Sequence, residues 1–168
     1  MKKNVLITGG AGFIGSNLAL KLIDLGYAVT VLDNLSPQIH GDKSMLYDSI
    51  KGKVKFINGD VRIKADWENA LQSQNIIVHL AAETGTGQSM YEVQKYVDVN
   101  VNGTSILLDY LVNQKHSVSK VIVASSRAIY GEGKYMCNTH GAVYPKERIE
   151  KDLNLGDFEP KCPICASE

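Results

Sequence analysis

The chain has 168 residues, 44% of them hydrophobic and 21% charged, which is the size and composition of one soluble globular domain with a substantial core and leaves no room for a second domain of ordinary size. Eighteen basic residues balance eighteen acidic ones, so no net field draws the chain to a phosphate backbone or an anionic lipid surface, and nucleic acid and membrane are set aside as partners. The apolar run Val5 to Ile7 is too short for a signal peptide or a membrane span, and the three cysteines all follow residue 136, unlike a secreted disulfide framework; the expected location is cytoplasmic.

The first strand is predicted at Asn4 to Thr8. Directly after it comes Thr8-Gly9-Gly10-Ala11-Gly12-Phe13-Ile14-Gly15, which satisfies Gly-x-Gly-x-x-Gly from Gly10 and Gly-x-x-Gly-x-x-Gly from Gly9. A tight strand-to-helix turn needs residues without Cβ if backbone N–H groups are to approach a pyrophosphate, and the helix N-terminus adds partial positive charge. Gly9 and Gly12 serve that approach, and Gly15 lets helix and strand pack closely. An apolar stripe from Leu18 to Leu25 predicts a helix over Asn17 to Gly26, with Gly26 as its stop. The second strand, Ala28 to Asp33, ends eighteen residues after Gly15 on a carboxylate that can accept hydrogen bonds from ribose hydroxyls. Asp33 would repel a 2′-phosphate and no arginine follows closely, which favours NAD over NADP.

The third strand, Val54 to Asn58, leads into Gly59-Asp60-Val61; Asp60 can meet an adenine amino group or simply form a turn. The fourth, Ile76 to Ala82, runs through His79, read as a structural histidine inside an apolar strand. It continues into small residues, Ala81 and Ala82, over which a flat cofactor can pass, and then a polar loop from Glu83 to Ser89. Helical periodicity over Ser89 to Asn113 predicts one bent helix or two. The fifth strand, Val121 to Ser125, ends at Ser125-Ser126, which either cap the strand or bond a substrate during proton transfer. Near-continuous apolar strands joined by helical crossovers predict a doubly wound α/β fold, a parallel sheet covered on both faces.

Composition changes after Gly131, and residues 134–168 read as a separate small element beside a dinucleotide-binding domain over residues 1–133. Cys137-Asn138-Thr139-His140 and Cys162-Pro163-Ile164-Cys165 form a C-x2-H and a C-x2-C pair with twenty-one residues between them, a zinc-ribbon spacing. Cys137, His140, Cys162 and Cys165 can close a tetrahedral structural zinc site with no position for a reactive water. A redox pair at Cys162 and Cys165, or unligated thiols, are the alternatives.

Together these residues resemble the extended short-chain dehydrogenase/reductase family, particularly its nucleotide-sugar 4-epimerase and dehydratase branch. The resemblance covers residues 3 to about 133 and rests on six segments in order. They are Thr8 to Gly15, Asp33-Asn34-Leu35, Gly59-Asp60-Val61-Arg62, His79-Leu80-Ala81-Ala82, Asn100-Val101-Asn102-Gly103-Thr104 and Ser125 to Gly131. It implies tightly held NAD against Phe13, Ile14, Asp33, Asn34, Asp60, Val61, Leu80, Ala81, Ala82 and Asn100. Ser126 takes the place of the family's catalytic serine, and Glu83, Thr84 and Ser89 face the sugar of a nucleoside-diphosphate sugar. Full-length members are expected to be homodimers.

In such enzymes a tyrosinate takes a hydroxyl proton from the sugar while C4 gives hydride to NAD, and hydride return to the other face inverts the centre. A tyrosine near pKa 10 is a poor base at neutral pH, so a lysine one helical turn away lowers it. The Tyr-x-x-x-Lys spacing occurs here as Tyr47 with Lys51, Tyr91 with Lys95 and Tyr130 with Lys134, all read as coincidences. The resemblance puts the true pair beyond Glu168, so this chain is expected to bind NAD weakly or partially and not to turn over. Arg127, where dehydratases need a carboxylate, favours an epimerase. A non-catalytic NAD-binding and zinc-ribbon module is the alternative from another class.

Overall fold

The computed structural model describes residues 3–41 and 45–167. It contains two compact units, Met1–Ala124 and Ser125–Glu168, and the composition change after Gly131 falls inside the second. In the first unit, five strands form one parallel sheet: β1 (Asn4–Thr8), β2 (Ala28–Asp33), β3 (Lys55–Asn58), β4 (Ile76–His79) and β5 (Lys120–Val123), in spatial order β3-β2-β1-β4-β5. Order reverses between β1 and β4, and in such sheets the crevice beyond the strand ends at that reversal is where ligands bind.

Strands β1 to β4 are covered on both faces as a doubly wound fold requires, while the edge strand β5 is exposed along its length. Alternate residues of β1 to β4 enter opposite cores: Leu6, Leu32, Ile57 and Ile77 on one face, and Val5, Ile7, Val29, Val31 and Val78 on the other. Helix α1 (Phe13–Asp24), preceding α2 (Pro37–His40), packs with α3 (Met45–Ile50) over the second face. On the first face lie α4 (Lys64–Ala70) and, after α5 (Thr86–Ser89), α6 (Val93–Val97) and a π-helical segment (Asp98–Asn102), helix α7 (Gly103–Asn113). Trp67 of α4 is completely buried there, its indole N–H donating to the Val61 carbonyl at 2.6 Å. Within the predicted stretch Ser89 to Asn113, α5 ends at Ser89, and α6, the π turn and α7 then follow one another without a break from Val93 to Asn113. Among the described residues no helix is long and apolar enough to cross a membrane.

Three of the boundaries that differ from the periodicity do so by two residues or more. Helix α1 starts at Phe13, not Asn17, because Gly12 already has the extended conformation of an N-cap, φ −74° and ψ 178°. Strand β4 ends at His79 instead of Ala82: its neighbour β1 ends at Thr8, and the Ala81 N–H turns to the Thr8 hydroxyl at 3.1 Å. Strand β5 stops at Val123 because its only partner, β4, stops at His79. Gly26 is a left-handed stop as predicted, with φ 85°, its N–H and that of Tyr27 closing on Ile23 and Leu22.

His79 sits in a continuous polar chain beneath the crevice. The Thr104 hydroxyl gives its one proton to the Asn100 carbonyl at 2.9 Å, so it accepts from His79 Nε2 at 3.1 Å; in the neutral ring Nδ1 then accepts from the Thr8 hydroxyl at 2.6 Å, which itself accepts from the Ala81 N–H at 3.1 Å. This chain ties the end of β1, the loop after β4 and the π segment together through a neutral histidine, whose pKa burial pushes below the ordinary value.

Two outcomes follow from this packing. Trp67→Ala should cost about 3–5 kcal/mol in urea unfolding followed by circular dichroism. A histidine depressed in the folded state must charge on unfolding, so stability should fall as pH drops below the unfolded value of about 6.5. His79→Asn should be less stable at neutral pH yet lose that slope; an unchanged slope would mean that His79 is not its source.

Candidate functional site

At the reversal point a groove of about 360 Å³ runs along the carboxyl ends of β1, β2, β3 and β4. Its floor is the glycine turn, and steric clearance explains most of that turn. A Cβ on Gly9, which has φ +65°, would lie 2.8 Å from the Ala81 backbone nitrogen; on Gly10, 2.7 Å from Val31 methyls; on Gly15, 2.4 Å from the Gly9 carbonyl oxygen. The fold itself therefore excludes side chains at these three positions. Gly12 is different. It has negative φ, and a Cβ there would meet only the Gly9 carbonyl, at 3.4 Å. Nothing in the protein's own packing demands glycine at Gly12, which lines the groove at the mouth of α1.

That mouth is electrostatically open. No side chain caps the first turn of α1 and no acid lies in it, so the unpaired N–H groups and the positive end of the helix dipole face the groove, a setting suited to an anionic group. Phe13 and Ile14 line the groove beside it although they are 74% and 68% exposed, an apolar cost with no return inside the protein.

Asp33 stands opposite, buried at the end of β2. Its Oδ2 accepts the Ala11 N–H at 2.9 Å and its Oδ1 the Leu35 N–H at 2.9 Å, with His40 Nε2 3.6 Å from Oδ1. The carboxylate thus fastens the glycine turn while its remaining lone pairs border the groove. Asn34 reaches across to β3, donating to Asp60 Oδ2 at 3.0 Å. Asp60 receives four bonds in all, three of them from the Arg62 backbone and guanidinium. The Arg62 side chain, with its backbone N–H and Asn34, holds this carboxyl at about 2. Asp60 is therefore committed to the protein as well as lining the groove with Val61.

Leu80, Ala81, Ala82, Glu83 and Thr84 form the other rim. Asn100, aimed from the π segment, lies outside the groove lining and clamps that rim: its amide accepts the Glu83 N–H at 2.8 Å and donates to the Glu83 carbonyl at 3.1 Å. The Glu83 carboxylate pairs with Lys95 at 3.4 Å. Ser89 is not part of the lining; its hydroxyl bonds the Thr86 carbonyl at the end of α5. Ser126 opens the second unit, its carbonyl accepting from Ile129 at the start of a 3-10 turn, Arg127–Tyr130. Sequence reading missed Ser36, Ile39 and His40, which line the groove from α2. The signal was present in Ser36-Pro37, a helix start with proline at the first helical position.

None of the three Tyr-x-x-x-Lys spacings forms a helical pair after β5. Tyr47 is in α3, with Lys51 Nζ 5.9 Å from its ring centroid. Tyr91 precedes α6, and Gly131 and Gly133, at φ 59° and 86°, separate Tyr130 from Lys134.

In the second unit, β6 (Tyr135–Cys137) and β7 (Gly141–Val143) form an antiparallel hairpin, with Cys137 ending β6 and His140 in the turn. It is followed by α8 (Glu150–Asn154) and a tight turn bearing Cys162 and Cys165, closed by the Ala166 N–H on the Cys162 carbonyl. The four ligand atoms lie within 4.8 Å of one another. Sγ of Cys137 is 3.7 Å from that of Cys165, and His140 Nδ1 is 3.6 Å from Cys137 and 3.7 Å from Cys162. A tetrahedron with metal–sulfur bonds of about 2.3 Å has edges of about 3.8 Å, which these three separations match. The three thiols are free. Backbone N–H groups of His140 and Thr139, and the His140 ring, hold the Cys137 thiol at about 5.

Comparison with known proteins places this architecture. The dTDP-L-rhamnose 4-epimerase of Burkholderia thailandensis is 38% identical over 159 residues, covering 94% of this chain and 44% of the relative, so the similarity takes in most of Ser125–Glu168. A putative UDP-glucose 4-epimerase of Methanocaldococcus jannaschii is 37% identical over 134 residues, 79% of this chain and 41% of the relative. Among solved structures, UDP-glucose 4-epimerase from Brucella ovis in complex with NAD superposes with a TM-score of 0.63 at 33% identity, over 86% of this chain and 38% of that one. The chain spans less than half the length of these relatives. Residues 5–150 match the family model described as the NAD dependent epimerase/dehydratase family, and the chain belongs to that family.

Proposed function

We propose that Met1–Ala124 is the NAD-binding portion of a nucleotide-sugar 4-epimerase. The observation that carries the reading is Gly12: a glycine that the fold does not need, at an uncapped helix N-terminus, on the floor of a groove walled by Asp33. The helix mouth would receive the pyrophosphate, Asp33 the adenosine ribose, Asn34, Asp60 and Val61 the adenine side, and Leu80 to Ala82 the rest of the dinucleotide, with Asn100 holding their loop. When bound, NAD supplies the hydride acceptor for transient oxidation at the sugar C4. Glu83, Thr84 and Ser89 would face the sugar, and Ser126 would bond its reacting hydroxyl. The solved relatives support the ligand classes: one is in complex with NAD, and the Bifidobacterium longum UDP-glucose 4-epimerase in complex with NAD+ and UDP.

Because no Tyr-x-x-x-Lys pair lies on a helix after β5 among the described residues, turnover by these 168 residues alone is not part of the proposal. Cys137, His140, Cys162 and Cys165 would hold a structural zinc, supported by their spacing at tetrahedral edge length and by thiols suited to a reducing, cytoplasmic setting. Pairing of two copies has its support in Val93, Val97 and Val101, four residues apart and all exposed.

Calorimetric titration tests the cofactor reading. The unaltered protein should bind NAD in preference to NADP, and Gly12→Ala should weaken binding about tenfold or more with little loss of stability, whereas Gly15→Ala should destabilise the fold. A folded protein that never binds NAD would sink the proposal. Metal analysis should return about one zinc per chain, lost in Cys137→Ser; zinc-free intact protein would remove the ribbon reading.

A further inference from the structure

The two rims of the groove are joined by a side chain that lines neither. Gln38, in the middle of α2, donates from its amide nitrogen to the Thr84 carbonyl at 3.2 Å and to Gln88 Oε1, and its Oε1 accepts from Lys95 Nζ at 3.2 Å. On its own side, Ser36, Ile39 and His40 line the groove; on the far side, Glu83 and Thr84 do. The far anchor is itself braced. Lys95 also meets Glu83 at 3.4 Å and Glu92 at 3.1 Å, Gln88 donates to Glu92 at 3.0 Å, and the Tyr96 hydroxyl donates to the Thr84 and Gly85 carbonyls at 2.8 and 3.1 Å.

Helix α2 is a single turn of four residues, far below the length at which a helix holds itself together, so tertiary contacts set its place. Inward it rests on Asp33 through His40, and outward Gln38 ties it to Thr84, Gln88 and Lys95. The Gln38 contacts are exposed to solvent, where water can replace them, so they are strong enough to hold a flap and weak enough to release it.

We propose that Gln38 is a positioning residue that straps α2 across the cofactor groove to the loop after β4, so that NAD enters and leaves only when the strap opens. The inference rests on the NAD reading above. A strap is a gate, and a gate has a kinetic signature different from that of a residue touching the ligand. Releasing it speeds entry and exit together and leaves the equilibrium affinity nearly unchanged, whereas losing a direct contact speeds exit alone.

Stopped-flow measurement of NAD association and dissociation on the full chain, read by quenching of Trp67 fluorescence or by displacement of a fluorescent NAD analogue, separates these cases. Gln38→Leu keeps the side chain's bulk and removes all three hydrogen bonds. Both rate constants should rise about tenfold with Kd changed less than about threefold. Lys95→Met, on the protein surface, removes one of the three and should give a smaller rise in both; it decides by the same criterion should Gln38→Leu not fold. Rates within about twofold of the unaltered protein, or faster exit with unchanged entry, would overturn the strap. Failure of the unaltered protein to bind NAD at all would be seen before any variant is compared, and would overturn the cofactor reading and the strap with it.

Discussion

The turn after β1 has no spare volume, and the rest of the first unit is arranged around that fact. Backbone from three directions meets there: the strand end, the first turn of α1 and the chain leaving β4, with the clearances at Gly9 and Gly15 below any distance a Cβ tolerates. Asp33 then fixes the turn to β2 by accepting the Ala11 N–H. Contacts this close are rigid because backbone cannot rotate out of the way as a side chain does. The orientation of the α1 dipole relative to the sheet is consequently set before any ligand is present, which is the condition under which oriented backbone N–H groups act on an anion at small reorganisation cost.

Much of this was legible in the sequence, and the reasons are local. Strands buried on both faces are apolar throughout, so β1 and β2 are unmistakable, and the glycine turn and Asp33 are anchored to their ends. Part of what could not be read was set by partners distant in sequence, and part by local bonds and short elements that leave no pattern. The ends of β4 and β5 depend on where β1 and β4 stop, a property of register and not of Leu80 or Ala124. The saturation of Asp60 depends on Arg62 and on Asn34 across the sheet, and a carboxylate after a strand looks the same whether its lone pairs are free or filled. Ser89 reads as part of a single polar loop with Glu83 and Thr84; a turn of helix lies between them, and its hydroxyl donates to the Thr86 carbonyl. The three groove residues of α2 were hidden by brevity, since four residues show no periodicity.

The second unit poses a different physical problem. Its buried hydrophobic cluster consists of Cys137, Val143 and Cys162, too little apolar area to offset the entropy of ordering a chain of that size. Small folds of this kind draw their stability from cross-links or metals. The cysteines are free, and two of the three residues in that cluster are themselves candidate ligands. Under the proposed zinc reading, the same atoms that form the core form the coordination sphere, so folding and metal binding of this unit would be one event.

The π segment Asp98–Asn102 has a consequence for how this sequence can change. The wide turn takes up one residue more than an α-helical turn, and the phase it sets between the helix before it and the helix after it is what lets Tyr96 and Lys95 reach the rim after β4 while Leu107 stays buried against the sheet. Removing a single residue there would restore a regular helix and a better local hydrogen-bond ladder. It would leave the phase nearly unchanged, whereas winding the same five residues as regular α-helix, at about 100° each, would rotate Val93 to Val97 by most of one residue's turn and carry Tyr96 and Lys95 away from their partners. The least favourable turn of this helix is therefore a register lock: the sequence carries one residue more here than a regular helix needs, and the wide turn keeps both flanking faces on their partners.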